Sequence, residues 1–262
     1  MKIGVMVESF RRDFVDAVRI AAEIGAEGIQ KYATQDYNMT DAQAREMLDI
    51  VESHGLVFSA LCGDFGHGFT DPDKNPELID KSKRVLELSK KLGCSIVTTH
   101  IGVVPEEENE TKEIIRKACR ELAEFGDSIG AYFAVETGPE KAVVLRDFLD
   151  SLGATGVRVN FDPANLVMCV GDNAAEAAKV LGPYIVHTHA KDGIMIGNME
   201  GWEELPLGQG DVNFDEYLPA LASTGFNGFL TIEREVGDNP EADIRMAADF
   251  LREKLKKFGL DK

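Results

Sequence analysis

Five side chains able to bind a metal or carry a proton each close a short apolar run. They are His100 after residues 95–99, Glu136 after 132–135, Asp162 after 156–161, His189 after 184–188 and Glu233 after 228–232. One such residue alone reads as a helix cap or a solvated strand end. Five at equivalent places deliver acid and imidazole to one rim. Three carboxylates converging there repel one another unless a cation sits between them, and a divalent ion with three oxygen ligands and one imidazole resolves this. That ligand set suits Mn²⁺ first, with Mg²⁺, Co²⁺ and Zn²⁺ as alternatives.

The elements that must position these groups recur along the whole chain. Eight β-rich runs, residues 3–7, 28–32, 56–61, 95–100, 132–136, 156–162, 184–189 and 228–233, alternate with segments of helical period such as Phe14, Val18, Ala21 and Ala22. Thr40 and Gln43 have the spacing of a capping box. Asn75-Pro76 reads as a helix cap with a first-turn proline, and Gly25, Gly55, Gly93 and Gly130 stand where helices should stop. The strands are apolar rather than alternating, as in a parallel sheet covered on both faces, and 262 residues over eight units leave about 33 for each βα pair. The expectation is an α/β fold, a (β/α)8 TIM barrel forming one domain over residues 1–262, with a doubly wound open sheet as second fit. The longest irregular stretches, 64–75 and 191–213, both follow strands.

Composition narrows the function. With 28 Lys+Arg against 46 Asp+Glu the formal charge is −18, which repels a polyanion over most of the surface and disfavours nucleic acid or an anionic membrane as partner. A small molecule is the better partner. No apolar run approaches the roughly 20 residues of a membrane span. Residues 1–7 are too short an apolar stretch for a secretory signal and read as the first strand. Cys62, Cys94, Cys119 and Cys169 form no CxxC pair, so a reducing compartment, the cytoplasm, is expected.

Further candidates lie beside the strand ends. His67, in the glycine-rich segment 63–69, sits on a loop that could fold over a substrate. Trp202, the only tryptophan, offers a face to stack on a sugar, or an anchor for its own loop or for a subunit contact. Lys191 and Arg234 follow His189 and Glu233 closely and could orient hydroxyls or a carbonyl; charge balance for the carboxylates is the plainer role. His100 could donate to a substrate hydroxyl or be satisfied by a neighbouring carboxylate. His187 points the same way as His189 but one layer deeper, which suits the barrel core better than a ligand.

Several motifs carry a resemblance over the whole chain: Val135-Glu136; Asn160-Phe161-Asp162-Pro163-Ala164-Asn165; His187-Thr188-His189-Ala190-Lys191-Asp192; Pro206-Leu207-Gly208-Gln209-Gly210-Asp211-Val212; and Ile232-Glu233-Arg234. The sequence resembles the xylose-isomerase-like barrels of the sugar phosphate isomerase/epimerase group, which includes tagatose 3-epimerase-like enzymes, inosose dehydratase and type IV apurinic endonucleases. The resemblance implies metal ligands at Glu136, Asp162, His189 and Glu233, with the two glutamates doubling as the acid/base pair. It also implies a carbohydrate substrate and a homodimer or tetramer. The expected reaction removes a proton next to a carbonyl to give an ene-diolate and returns it to the opposite face or the neighbouring carbon. Loss of a β-oxygen substituent would instead make a dehydratase or lyase. Asn165 departs from the Asp-x-x-His pattern of many ketose epimerases, so how it holds substrate oxygens near strand six stays open. The same departure, together with only five histidines, argues against a tri-zinc nuclease. A sugar-binding protein without catalysis would have no use for an acid/base pair.

Overall fold

The periodic segments and their caps become real helix ends in the computed structural model, which describes residues 1–197 and 199–261. Asp13 accepts from the Asp16 amide at the start of α1 (Phe14–Glu23). Thr40 and Gln43 form the reciprocal capping box that opens α2 (Asp41–Ser53). The helices α3 (Asn75–Lys91), α4 (Glu110–Ile129), α5 (Ala142–Asp150), α6 (Pro163–Asn165), α7 (Ala174–Leu181), α8 (Phe214–Ser223) and α9 (Pro240–Phe258) follow. The expected cap at Asn75 is corrected: the helix already includes Asn75, whose Nδ2 donates instead to the Phe69 carbonyl at 3.0 Å and ties down the preceding loop.

Between the helices run β1 (Lys2–Met6), β2 (Gly28–Tyr32), β3 (Val57–Cys62), β4 (Ile96–Thr99), β5 (Tyr132–Glu136), β6 (Val157–Phe161) and β7 (Ile185–Ala190). After them come β8 (Asp192–Ile196), β9 (Gly201–Leu205) and β10 (Phe229–Ile232). Eight of these, in the order β1-β10-β7-β6-β5-β4-β3-β2, close into a parallel barrel, a TIM barrel rather than an open sheet. The helices wrap it with an apolar face, and residues such as Val18, Leu86, Leu122 and Leu251 are fully buried beneath them. At the foot of β6, a Cβ on Gly156 would lie 2.1 Å from the Ala123 carbonyl oxygen, so α4 packs this closely only because residue 156 has no side chain. No described helix is long and apolar enough to cross a membrane.

The expectation that residues 191–213 are irregular is corrected in part, since 192–196 and 201–205 are strands while 206–213 carry no regular element. β8 and β9 pair antiparallel into a hairpin that stands on the end of β7. The sequence signal is the pair of glycines at 197 and 201 between the two strands, and Lys191-Asp192 before them and Pro206-Leu207-Gly208-Gln209-Gly210 after them mask the short alternation. The Pro206–Val212 motif also acquires a physical role. The amides of Gly193, Gly208, Gly210 and Val212 all donate to the buried Asp192 carboxylate at 2.9–3.1 Å. A Cβ on Gly210 would meet Asp192 Oδ1 at 2.2 Å, so the second glycine of the motif lets the backbone close around that anion.

Candidate metal centre

The barrel brings Glu136, Asp162, His189 and Glu233 to one point. Glu136 is the last residue of β5, Asp162 follows β6, His189 is the penultimate residue of β7 and Glu233 follows β10. One donor atom from each lies within 4.8 Å of every other. His189 Nδ1 faces the three carboxylates, 3.3 Å from Glu233 Oε2, 3.5 Å from Glu136 Oε2 and 3.8 Å from Asp162 Oδ2. All four residues are buried. Asp162 uses Oδ1 to accept from the amides of Ala164 and Asn165, while its Oδ2 is buried with no hydrogen-bond partner among the described residues. A buried carboxylate oxygen in that condition costs free energy unless a cation meets it. Three oxygens and one imidazole nitrogen around such an atom fit a divalent ion of the Mn²⁺ or Mg²⁺ kind.

Beneath this cluster lies a polar layer that fixes how the inner groups point. Gln30 Nε2 donates to Thr98 Oγ1 at 2.8 Å, so its Oε1 is free to accept from His189 Nε2 at 3.1 Å. Once the ring gives up its second proton, that bond leaves the lone pair on Nδ1, the nitrogen aimed at the cluster. A second relay runs from the Thr231 hydroxyl to His187 Nε2 (2.9 Å), from His187 Nδ1 to Asn160 Oδ1 (2.9 Å), and from Asn160 Nδ2 to Glu136 Oε2 (3.1 Å). Burial, with the neighbouring His189, pushes the His187 pKa well below its ordinary value and keeps it neutral. It sits in the core one layer down.

Above the cluster opens a cavity of about 190 Å³. Asn165 enters it from α6, where the chain continues as a single π-turn (Leu166–Val170), and its Nδ2 donates to Glu136 Oε1 at 2.9 Å. Lys191 Nζ lies 3.1 Å from Glu233 Oε2 and also pairs with Glu235. Burial alone would raise the Glu233 carboxyl, but the charges of His189 and Lys191 outweigh it and hold it well below the usual range. Half-exposed Trp202, on β9, forms part of the wall. His100 Nδ1 meets Asp64 Oδ2 at 2.7 Å and its Nε2 stands 3.7 Å from Glu136 Oε1. The bond to Asp64 raises the imidazole pKa to about 9 against the opposing effect of burial, with Glu136 adding to the rise. His100 is therefore expected to be an imidazolium at neutral pH. Its contribution to stability is fully present below about pH 6.5 and lost as pH rises through about 9. Imidazole ¹⁵N shifts followed with pH should show this titration in the wild type and its fall toward 6.5 in Asp64→Asn; one unchanged titration in both would contradict the pairing.

Two expected site residues lie elsewhere. His67 is exposed on the loop after β3 and is not part of the cavity wall. Arg234 turns away: its guanidinium bonds Glu204 Oε1 on β9 at 2.6 Å and Asp243 Oδ2 on α9 at 2.8 Å, because the hairpin brings a buried carboxylate to it. Arg234→Ala strands the Glu204 charge, and a broken buried pair costs about 3 kcal/mol, which thermal unfolding should report as a clear loss against wild type. Conversely, Gln30 and Glu235 escaped notice in the sequence, and Asp64 and Asn160 stood there only within longer motifs, with no role of their own. Asp64 and Glu235 stand two and three residues beyond the ends of β3 and β10, and Gln30 is a polar residue inside an apolar strand, which is the signal that could have marked it.

Comparison with known proteins agrees with this architecture. A family model described as xylose isomerase-like TIM barrel matches residues 18–254. An inosose isomerase from Bacillus velezensis is 24% identical over 168 residues, which cover 60% of this chain and 59% of that protein. The chain spans less than two thirds of the length of the curated relatives it matches. Among solved structures, a xylose isomerase domain protein from Planctomyces limnophilus superposes with a TM-score of 0.86 at 24% identity over 98% of this chain and 97% of that one. A D-psicose 3-epimerase with D-tagatose from Clostridium cellulolyticum H10 does so with 0.78 at 18% identity, over 97% and 99%. At such identities these structures share the fold.

Proposed function

Because the chain belongs to the xylose isomerase-like TIM barrel family, we propose that it is a metal-dependent isomerase or epimerase acting on a carbohydrate next to its carbonyl group. The observation that carries this reading is the orphaned Asp162 Oδ2 inside a cluster whose two glutamates both face the cavity. Glu136, Asp162, His189 and Glu233 would hold the ion, Mn²⁺ first. When bound it acts as a Lewis acid toward negative charge developing on the substrate oxygen.

The remaining work falls to this chain's own side chains. Glu136 and Glu233 line the cavity from β5 and β10 and act as the proton carriers, one taking the proton beside the carbonyl and the other returning it. Lys191 holds Glu233 as an anion, the form that accepts a proton. Asn160 and Asn165 each donate an amide hydrogen to one oxygen of Glu136, so that carboxylate is fixed in orientation before substrate arrives. Return to the opposite face gives an epimer, and return to the adjacent carbon gives the aldose–ketose pair. His100, Asn165, Lys191 and Trp202 surround the substrate. The inosose isomerase and the epimerase among similar proteins support this class of reaction, and four free cysteines suit a cytoplasmic enzyme.

The test is incorporation of solvent deuterium into D-fructose, D-tagatose, D-psicose and scyllo-inosose, with the protein loaded in turn with Mn²⁺, Mg²⁺ and Co²⁺. Exchange at the carbon beside a carbonyl, lost on chelation, supports the proposal. No exchange in any sugar with any metal sinks it.

A further inference from the structure

Among the described residues, the cations His100 and Lys191 in the cavity wall each already have a carboxylate. His100 is held by Asp64 at 2.7 Å. Lys191 is held between Glu233 and Glu235, with Glu204 Oε2 at 3.9 Å behind it. Nearby, Arg11 places both terminal nitrogens on the backbone carbonyls of Glu235 and Gly237, and Arg234 is committed to Glu204 and Asp243. The amides of Ala164 and Asn165 at the start of α6, an obvious place for an anion, are taken by Asp162 Oδ1. The carboxylates of the wall are Asp64, Glu136, Glu233 and Glu235, and of these Glu235 is the most exposed. The cavity's volume, about 190 Å³, lies below the roughly 300 Å³ at which pockets for drug-sized ligands begin.

We infer that Asp64 and Glu235 make this pocket a charge filter, so that it takes an uncharged, monosaccharide-sized polyhydroxy carbonyl compound and turns away phosphorylated or carboxylated counterparts. The inference rests on the carbohydrate reading above and adds the substrate's charge to it. Neutral hydroxyls donate well to carboxylates and the indole of Trp202 offers a flat apolar wall. A phosphate would have to shed water against Glu235 and Asp64, and among the described residues the one nearby cation without a carboxylate, Arg11, already spends both terminal nitrogens on backbone carbonyls, which makes the transfer costly in a partly buried site. Glu235 is the sharper determinant of the two. Its side chain is 52% exposed, whereas that of the Lys191 it pairs with is 5% exposed. Without it Lys191 keeps Glu233 alone within hydrogen-bond distance, which leaves part of its charge for an incoming anion.

Trp202 is the only tryptophan in the chain and lines the cavity, so its emission reports occupancy independently of turnover. With the Mg²⁺-loaded protein, D-tagatose, D-tagatose 6-phosphate and D-tagaturonate should be titrated in parallel, with scyllo-inosose as a second neutral probe. The expected result is saturable change with a neutral sugar and at least about tenfold weaker binding of both anions, a gap that narrows by about tenfold in Glu235→Gln and by less in Asp64→Asn. Equal or tighter binding of either anion to the wild type overturns the inference, as does no response to any probe. Deuterium exchange separates the two levels. Exchange into the phosphorylated ketose refutes the filter and leaves the isomerase standing, whereas selective binding of a neutral sugar without exchange refutes the isomerase and leaves the filter.

Discussion

Glu233→Gln is expected to remove turnover by a factor of about 10³ or more while leaving the barrel folded. The side chain keeps its shape, so packing at the end of β10 is preserved, but two properties disappear together. One is the negative charge that pairs with His189 Nδ1 at 3.3 Å and Lys191 Nζ at 3.1 Å. The other is the ability to take and return a proton, worth about 10²–10⁴ in rate by itself. Loss of one anionic donor from the cluster should also lower the metal retained through gel filtration, as measured by elemental analysis. Glu136→Gln should be as inactive but less stable. Both oxygens of Glu136 accept amide hydrogens, from Asn160 and from Asn165, and a glutamine must set its own NH₂ against one of them. An unmet buried donor costs about 1–3 kcal/mol, so thermal unfolding should place Glu136→Gln below Glu233→Gln. Wild-type deuterium exchange in either variant would end the two-glutamate mechanism.

That the two glutamates can be compared at all depends on features the sequence shows unevenly. The barrel was legible because the strands are mostly apolar and several helices carry their own start or stop, as Thr40 with Gln43 and Gly130 illustrate. The cluster was legible because a parallel barrel puts all strand ends on one rim, so Glu136, Asp162, His189 and Glu233 needed only their strand positions to be grouped. Direction of a side chain beyond the strand end is another matter. Arg234 follows Glu233 directly yet points to the far side, because its destination is a buried glutamate on β9 that no local pattern could announce. The polar layer was missed for a related reason. Gln30, Thr98, Asn160 and Thr231 lie on four different strands, and their partnership exists only once the barrel closes.

The closed layer makes metal binding itself a pH-dependent event. In the metal-free protein, burial opposes charge on His189, but Glu233 and Glu136 outweigh burial and hold its pKa well above the ordinary value. Near neutral pH the ring therefore carries a proton on Nδ1, the nitrogen that faces the carboxylates, while Nε2 stays bonded to Gln30. A divalent ion must displace that proton before Nδ1 can act as a donor. Uptake of Mn²⁺ is thus expected to release about one proton, and its apparent affinity to rise about tenfold per pH unit until pH passes the metal-free pKa of His189, where it levels off. Chelation at neutral pH should abolish exchange and leave a folded protein, since His189 regains its proton and, with Lys191, again balances the carboxylates. Titration calorimetry in buffers of different ionisation enthalpy counts the protons directly. His189→Gln removes the titrating group, so its affinity should be weaker and nearly flat with pH. Release of no protons by the wild type, or the same slope in His189→Gln, would show that Nδ1 is not where the ion binds.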